Sequence, residues 1–286
     1  MSTRTVVIEG PERLEGVLHE GAGIGGAVMC HPHPLYGGSM WNGVVDAMEE
    51  GFSKAGFTTL RFNFRGVGRS TGRFDEGAGE TEDLVAACRF LKGAVNARQF
   101  LKGEVSGEAL AASPGRMEGW KGGRVGDLRR LTLPDGALSE ARRERGLCSQ
   151  PLLGERSESL SGEAPQAMPA EGVLNPNLGR FVIAGYSFGA WVASMAPSRV
   201  AWVTDLFLVA FPFSSYQTGE IRAFPGRIHL VGGSLDDISP LDDLLALHRD
   251  LKGEKRLKVI PASHFFEGHD GEISEFILES FREKEG

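Results

Sequence analysis

The stretch FVIAGYSFGAWVAS, residues 181–194, decides the fold. Four apolar residues run into Gly185-Tyr186-Ser187-Phe188-Gly189, and an alanine-bearing apolar run with helical spacing follows. Glycine on both sides of a polar residue is costly inside a regular element, so the junction between strand and helix must need both. G-x-S-x-G set after a strand and before a helix is the sharp turn that raises a serine hydroxyl above a sheet edge. A side chain at Gly185 or Gly189 is expected to collide with neighbouring backbone, and Ser187 is the candidate nucleophile. The helix that starts there turns its free N–H groups and dipole toward any oxyanion that forms. A Gly-Ser turn without chemistry is the plainer reading, and the strand and helix placed on either side weigh against it.

Outward from this junction, apolar runs of strand length recur. TVVIEG and LEGVLHEG read as an opening hairpin; GGAVMC (25–30), FTTLRFNF (57–64), RFVIAGY, DLFLVAF, RIHLVGG and RLKVIPA follow, each beside a turn signal. Helical spacing appears in 80–92, AWVASMA, DDLLALHRDL and EISEFILESF. Near-continuous apolar strands alternating with helices predict an α/β fold: a mainly parallel sheet with helices on both faces and an N-terminal antiparallel hairpin.

One region departs from this pattern. Residues 97–174 contain no Ile, Tyr or His, one Phe and one Trp, amid repeated Gly, Arg, Glu and Ser. Such a composition buries too little to offset ordering entropy. The chain therefore reads as one domain, 1–96 with 175–286, interrupted by a low-complexity insertion at 97–174 expected to be largely disordered. A helix-to-strand connection lies at the N-terminal ends of parallel strands, away from the ligand edge.

Bulk properties exclude several classes. The chain has 286 residues, 41% of them hydrophobic, and a formal net charge of −7, which argues against a nucleic-acid surface. Cys30, Cys88 and Cys148 form no CxxC pair and no disulfide framework. The N-terminus lacks a signal-peptide pattern and no apolar run is long enough to span a bilayer, so a soluble cytoplasmic protein is expected.

A serine needs a base and an acid. In the chain order Ser, acid, His, the eligible histidines are His248, His264 and His269. His248 sits within a helical pattern. His264, in PASHFFEGH, emerges on a loop at a strand's end and is preferred; His269 is the fallback and reads better as a helix-start residue. HLVGGSLDDISP offers Asp236, preferred, and Asp237, which can face solvent; Asp242 and Asp243 read as first-turn acids of the next helix. For the oxyanion, Phe188 offers one backbone N–H. In HPHPLYGG (31–38), where prolines lack the donor, His33, Leu35 and Tyr36 are eligible, with His33 favoured.

Other motifs carry less. His31-x-His33 has the spacing of a metal pair, but no further ligand lies nearby with matching spacing, so no metal is expected. GAGIGG (21–26) precedes a strand, so it is no dinucleotide loop, and NFRGVGRSTG (63–72) reads as a tight turn after a strand.

HPHPLYGGSM, NFRGVGRSTG, GYSFGA, GGSLDD and SHFFEGH, in this order, resemble the small α/β-hydrolase-fold serine hydrolases, dienelactone-hydrolase-like in scale. The resemblance covers most of the chain outside 97–174. It implies Ser187 as nucleophile, Asp236 as acid and His264 as base. Dienelactone hydrolases themselves have Cys where this chain has Ser187, so lactone specificity does not carry over. The space from 213 to 227 is too short for a helical lid, which implies a cap-less enzyme with a shallow, open pocket.

These readings lead to a serine hydrolase, free of cofactor and metal, that cleaves a carboxylic ester or thioester of a small or flexible acyl substrate through an acyl-enzyme. The alternatives are a peptidase or amidase of the same fold and a non-catalytic binding protein.

Overall fold

β-branched and apolar runs account for the strands of a single eight-stranded sheet in the computed structural model, which describes residues 2–101, 179–216, 218 and 221–281. The strands are β1 (Thr3–Ile8), β2 (Leu14–His19), β3 (Gly25–Cys30), β4 (Thr58–Phe62), β5 (Arg180–Tyr186), β6 (Asp205–Val209), β7 (Arg227–Gly233) and β8 (Lys255–Ile260). They lie in the order β1-β2-β4-β3-β5-β6-β7-β8. β1 pairs antiparallel with β2, β2 antiparallel with β4, and the remaining pairs are parallel. The expected opening hairpin and mainly parallel sheet are both present.

Side chains alternate between two cores, as the pleat requires. Val28 and Cys30 of β3, Ile183 of β5 and Leu206 and Leu208 of β6 face one core, with α2 (Ala78–Leu101), α3 (Phe188–Met195) and α4 (Leu241–Asp250). Ala27 and Met29, Val182 and Ala184, and Phe207 and Val209 face the other, with α1 (Gly43–Lys54) and α5 (Asp270–Phe281). Covering both faces is what lets these strands be almost wholly apolar.

The helix α1 lies outside the helical segments read from the sequence. Asn42 caps it, its side chain accepting the Val44 N–H, and Val44, Val45, Met48 and Phe52 are buried along its inner face. α2 begins where the buried Glu80 carboxylate accepts the Asp75 and Gly77 N–H groups at 2.9 and 2.7 Å. Residues 97–101 complete α2; the rest of the segment 97–174 lies outside the described residues.

The loop 63–72 is the tight turn expected. Gly66, Gly68 and Gly72 take positive φ, and Arg65 is locked by Asp83, which accepts from its Nε at 3.1 Å and its Nη2 at 2.9 Å. At the C-terminal ends of the central strands each chain is tied to the next. Ser187 N–H donates to Val209 at 2.9 Å, Ala210 to Val231 at 2.8 Å, and Ser234 to Ile260 at 2.8 Å. These ties fix the edge on which the loops carrying Ser187, Asp236 and His264 stand. Among the described residues, no helix is long and apolar enough to cross a membrane.

Candidate active site

The turn from β5 into α3 holds Ser187 at φ 54°, ψ −120°, a left-handed conformation that L-residues avoid unless their surroundings enforce it. The enforcement is visible on both sides. A Cβ at Gly185 would stand 2.2 Å from the Gly189 carbonyl oxygen, and one at Gly189 would stand 2.5 Å from the carbonyl oxygens of Cys30 and His31. Only glycine lets β5, α3 and the end of β3 approach this closely. Ser187 itself is partly exposed, on the rim of the sheet.

Two loops bring their side chains to it. After β8, His264 is buried and its Nε2 lies 2.9 Å from Ser187 Oγ. After β7, the buried Asp236 places Oδ2 and Oδ1 at 2.8 and 3.0 Å from His264 Nδ1. The carboxylate is held by the Ile238 and Ser239 N–H groups, which donate to Oδ1 at 2.9 and 2.7 Å. With the proton on Nδ1 facing Asp236, the Nε2 lone pair faces the serine hydroxyl, which donates to it. A hydroxyl, imidazole and carboxylate in such a row can activate the oxygen for attack on a carbonyl.

The alternatives fall apart spatially. Asp237 is exposed. His269 Nδ1 pairs with Glu272 Oε1 at 2.7 Å at the start of α5, and His248 lies in the last turn of α4. Asp242 and Asp243 occupy the first turn of α4.

The loop 31–38 separates its two histidines by role. His31 is fully buried; its Nδ1–H donates to the Pro32 carbonyl at 2.7 Å, and its Nε2 accepts the Phe64 N–H at 3.1 Å. Both nitrogens are taken, so His31 ties the ends of β3 and β4 together and has no lone pair left for a metal. Burial pushes its pKa down to about 4, against the opposing pull of the Pro32 carbonyl. The His33 ring packs on Phe188, Phe74 and Tyr36 at centroid distances of 4.9, 4.9 and 4.7 Å. Of the three eligible N–H groups, Leu35 donates to His33 Nδ1 at 3.2 Å and Tyr36 to the His33 carbonyl at 3.1 Å. Among the described residues the His33 and Phe188 N–H groups have no acceptor, and the ring contact puts these two residues side by side.

One residue of the site was not singled out in the sequence. Tyr186, the first variable position of G-x-S-x-G, donates its hydroxyl to the His264 main-chain carbonyl at 2.9 Å. Its ring centroid is 5.6 Å from that of His264. An aromatic residue with a polar tip at the buried end of an apolar strand was the available signal.

No protein-family model matches the chain. Ninety residues are 43% identical to an uncharacterized protein of Rickettsia prowazekii, a match that spans 30% of this chain and 38% of that protein. Solved structures align with most of the chain. An α/β serine hydrolase homologue from Coxiella burnetii superposes with a TM-score of 0.66 at 23% identity, covering 99% of both chains. A protein of unknown function from Agrobacterium tumefaciens, described as an α/β hydrolase, gives 0.61 at 24% identity, covering 97% of this chain and 94% of that one. A serine hydrolase without lid from Xanthomonas campestris gives 0.62 at 19% identity, covering 97% and 92%. The chain has the α/β-hydrolase fold.

Proposed function

We propose that this chain is a serine hydrolase that cleaves a carboxylic ester or thioester, with Ser187 as nucleophile, His264 as base and Asp236 as the acid of a catalytic triad. The observation that carries the reading is the unbroken row from Asp236 through His264 to Ser187 Oγ, closed by contacts of 2.8 and 2.9 Å. Ser187 Oγ attacks the acyl carbon while Nε2 of His264 takes the hydroxyl proton. Asp236 stabilises the imidazolium and stays ionised. The oxyanion is received by the N–H groups of Phe188 and His33, each typically worth ~10²–10³ in rate. His264 gives its proton to the departing alcohol or thiol, leaving an acyl-serine. A water, deprotonated by the same imidazole, then releases the acid and restores Ser187.

These groups supply nucleophile, base and electrostatic stabilisation, so the reaction needs no cofactor or metal. The free, buried thiols of Cys30 and Cys88 suit a reducing compartment, and we place the protein in the cytoplasm.

The test is covalent labelling with a fluorophosphonate probe. Wild-type protein should label; Ser187→Ala and His264→Ala should lose labelling and at least about 10³-fold of ester turnover. His269→Ala should keep most of both. Folded wild-type protein that fails to label and turns over no ester would make this a binding protein instead.

A further inference from the structure

Three loops frame Ser187, and their exposed side chains are unusual. The loop after β3 presents Leu35 and Tyr36, 67% and 88% exposed; the loop after β7 presents Leu235 at 72% and Ile238 at 38%; the loop after β8 presents Phe265 at 63%. Five of the nine large apolar side chains exposed among the described residues stand here, so their exposure is a local feature and not the ordinary scatter of a protein surface. Short links join each to the reactive row. Tyr36 packs on His33, which packs on Phe188; Phe265 lies edge-on to the His264 ring at a centroid distance of 5.7 Å; Ile238 N–H holds Asp236.

Charge on the same loops is one-sided. Residues 31–42, 234–240 and 261–269 contain no lysine or arginine, and of their acids Asp237 and Glu267 are exposed while Asp236 is buried against His264. On the neighbouring loop after β4, Arg65 is tied up with Asp83 and lies 3.8 Å from Asp75, while Arg69 and Arg73 are exposed. The three loops that frame Ser187 thus offer no arginine or lysine to a leaving group with several phosphates, such as coenzyme A, which such cations hold.

The rim is continuous with the row through the contacts of Tyr36, Phe265 and Ile238, so the occupant that fits it is the substrate on which that row acts. Resting on the serine-hydrolase reading above, we propose that the substrate is an uncharged ester with a flexible apolar acyl chain. The chain lies on the open rim formed by Leu35, Tyr36, Leu235, Ile238 and Phe265. Affinity comes from apolar area removed from water, with no deep pocket or cationic clamp.

The experiment compares kcat/KM for 4-nitrophenyl acetate, butyrate and octanoate in wild type and in the double variant Leu35→Ser/Leu235→Ser. It also compares octanoyl-coenzyme A with S-octanoyl-N-acetylcysteamine, the same thioester without phosphates. Wild type should favour octanoate over acetate by about tenfold or more, since each methylene taken from water favours binding. The double variant, shown folded by its thermal melt, should bring that ratio close to one. Wild type should turn over the N-acetylcysteamine thioester at least about tenfold better than the coenzyme A ester. A flat chain-length profile in wild type, a rise that persists in the variant, or a preference for coenzyme A would overturn the proposal while leaving the triad intact. Absence of acetate turnover and of fluorophosphonate labelling would sink the enzyme reading and the substrate class together.

Discussion

At the scale of single residues, His264 is held from two directions. Its ring is fixed by Asp236, and its main-chain carbonyl accepts the Tyr186 hydroxyl at 2.9 Å. Burial pushes the Tyr186 phenol well above its ordinary value, with the Asp236 carboxylate adding to the shift, so the group stays a protonated donor. Because Tyr186 precedes Ser187 directly, it links the strand that ends at Ser187 to the loop that carries His264. Tyr186→Phe leaves a buried carbonyl without its donor, which costs about 1–3 kcal/mol of stability. As a positioning residue it should also lower kcat by about tenfold with KM little changed, because imidazole alignment matters to proton transfer and not to ground-state binding. Steady-state kinetics beside a thermal melt checks this; a lowered melting point with unchanged kcat would leave Tyr186 a purely structural role. The positions of Ser187, His264 and Asp236 were legible because motif, chain order and strand ends constrain them. Tyr186 was not, because its role depends on a partner 78 residues away that no local pattern reveals.

At the scale of elements, the β5–α3 junction decides where the hydroxyl stands. A methyl group at Gly189 has backbone oxygens of Cys30 and His31 in its place, so Gly189→Ala must push α3 away from β3. The expected destabilisation is about 1–3 kcal/mol, with fluorophosphonate labelling largely lost because Ser187 moves with the helix. Gly93, exposed in α2 with open space at its Cβ position, makes the contrasting variant. Gly93→Ala should stabilise by roughly 0.5–1 kcal/mol through helix propensity, with labelling unaffected. Urea melts and labelling of the two variants test the pair; equal effects would mean that the junction is not sterically locked. The central strands β3, β5 and β6 were readable in the sequence because both sheet faces are covered there, which makes each a nearly unbroken apolar run. α1 was not, because Gly43 and Gly51 dilute its pattern and Gly37 and Gly38 stand shortly before it. Gly51 is there for packing: a Cβ would stand 2.9 Å from Ile277 Cβ in α5, so the glycine that obscures the helix is the one that lets α1 and α5 meet.

Across the whole molecule, two buried ionisable groups at opposite ends of the parallel strands give acid sensitivity in separate pH windows. At the C-terminal edge, His31 is neutral with its pKa lowered from 6.5 to about 4, mainly by burial. At the N-terminal edge, Asp205 is fully buried; burial pushes its carboxyl up, but bonds from His229, Arg227 and Thr204 and the charge of Arg180 hold it below its ordinary value. For His31 the unfolded chain binds the proton that the folded chain refuses, so stability is full above pH 6.5 and falls as pH drops toward 4. For Asp205 the stabilisation is full above the unfolded value of 3.8 and is lost only as pH falls through the lower folded value. His31, His33 and His248, all lowered by burial, weaken the fold in the same direction below pH 6.5, with His31 the most deeply buried of the three, and Asp205 adds only in stronger acid. The His31 contribution is roughly 3 kcal/mol across its window, from about 1.4 kcal/mol per pH unit. His31→Gln keeps an oxygen able to accept the Phe64 N–H but cannot titrate. It should be less stable than wild type at pH 7, and the gap should close by roughly 3 kcal/mol as pH falls to 4. Urea unfolding of both proteins at pH 7, 5.5 and 4 measures this, and two parallel stability curves would show that the histidine joining β3 to β4 is not the acid-sensitive group.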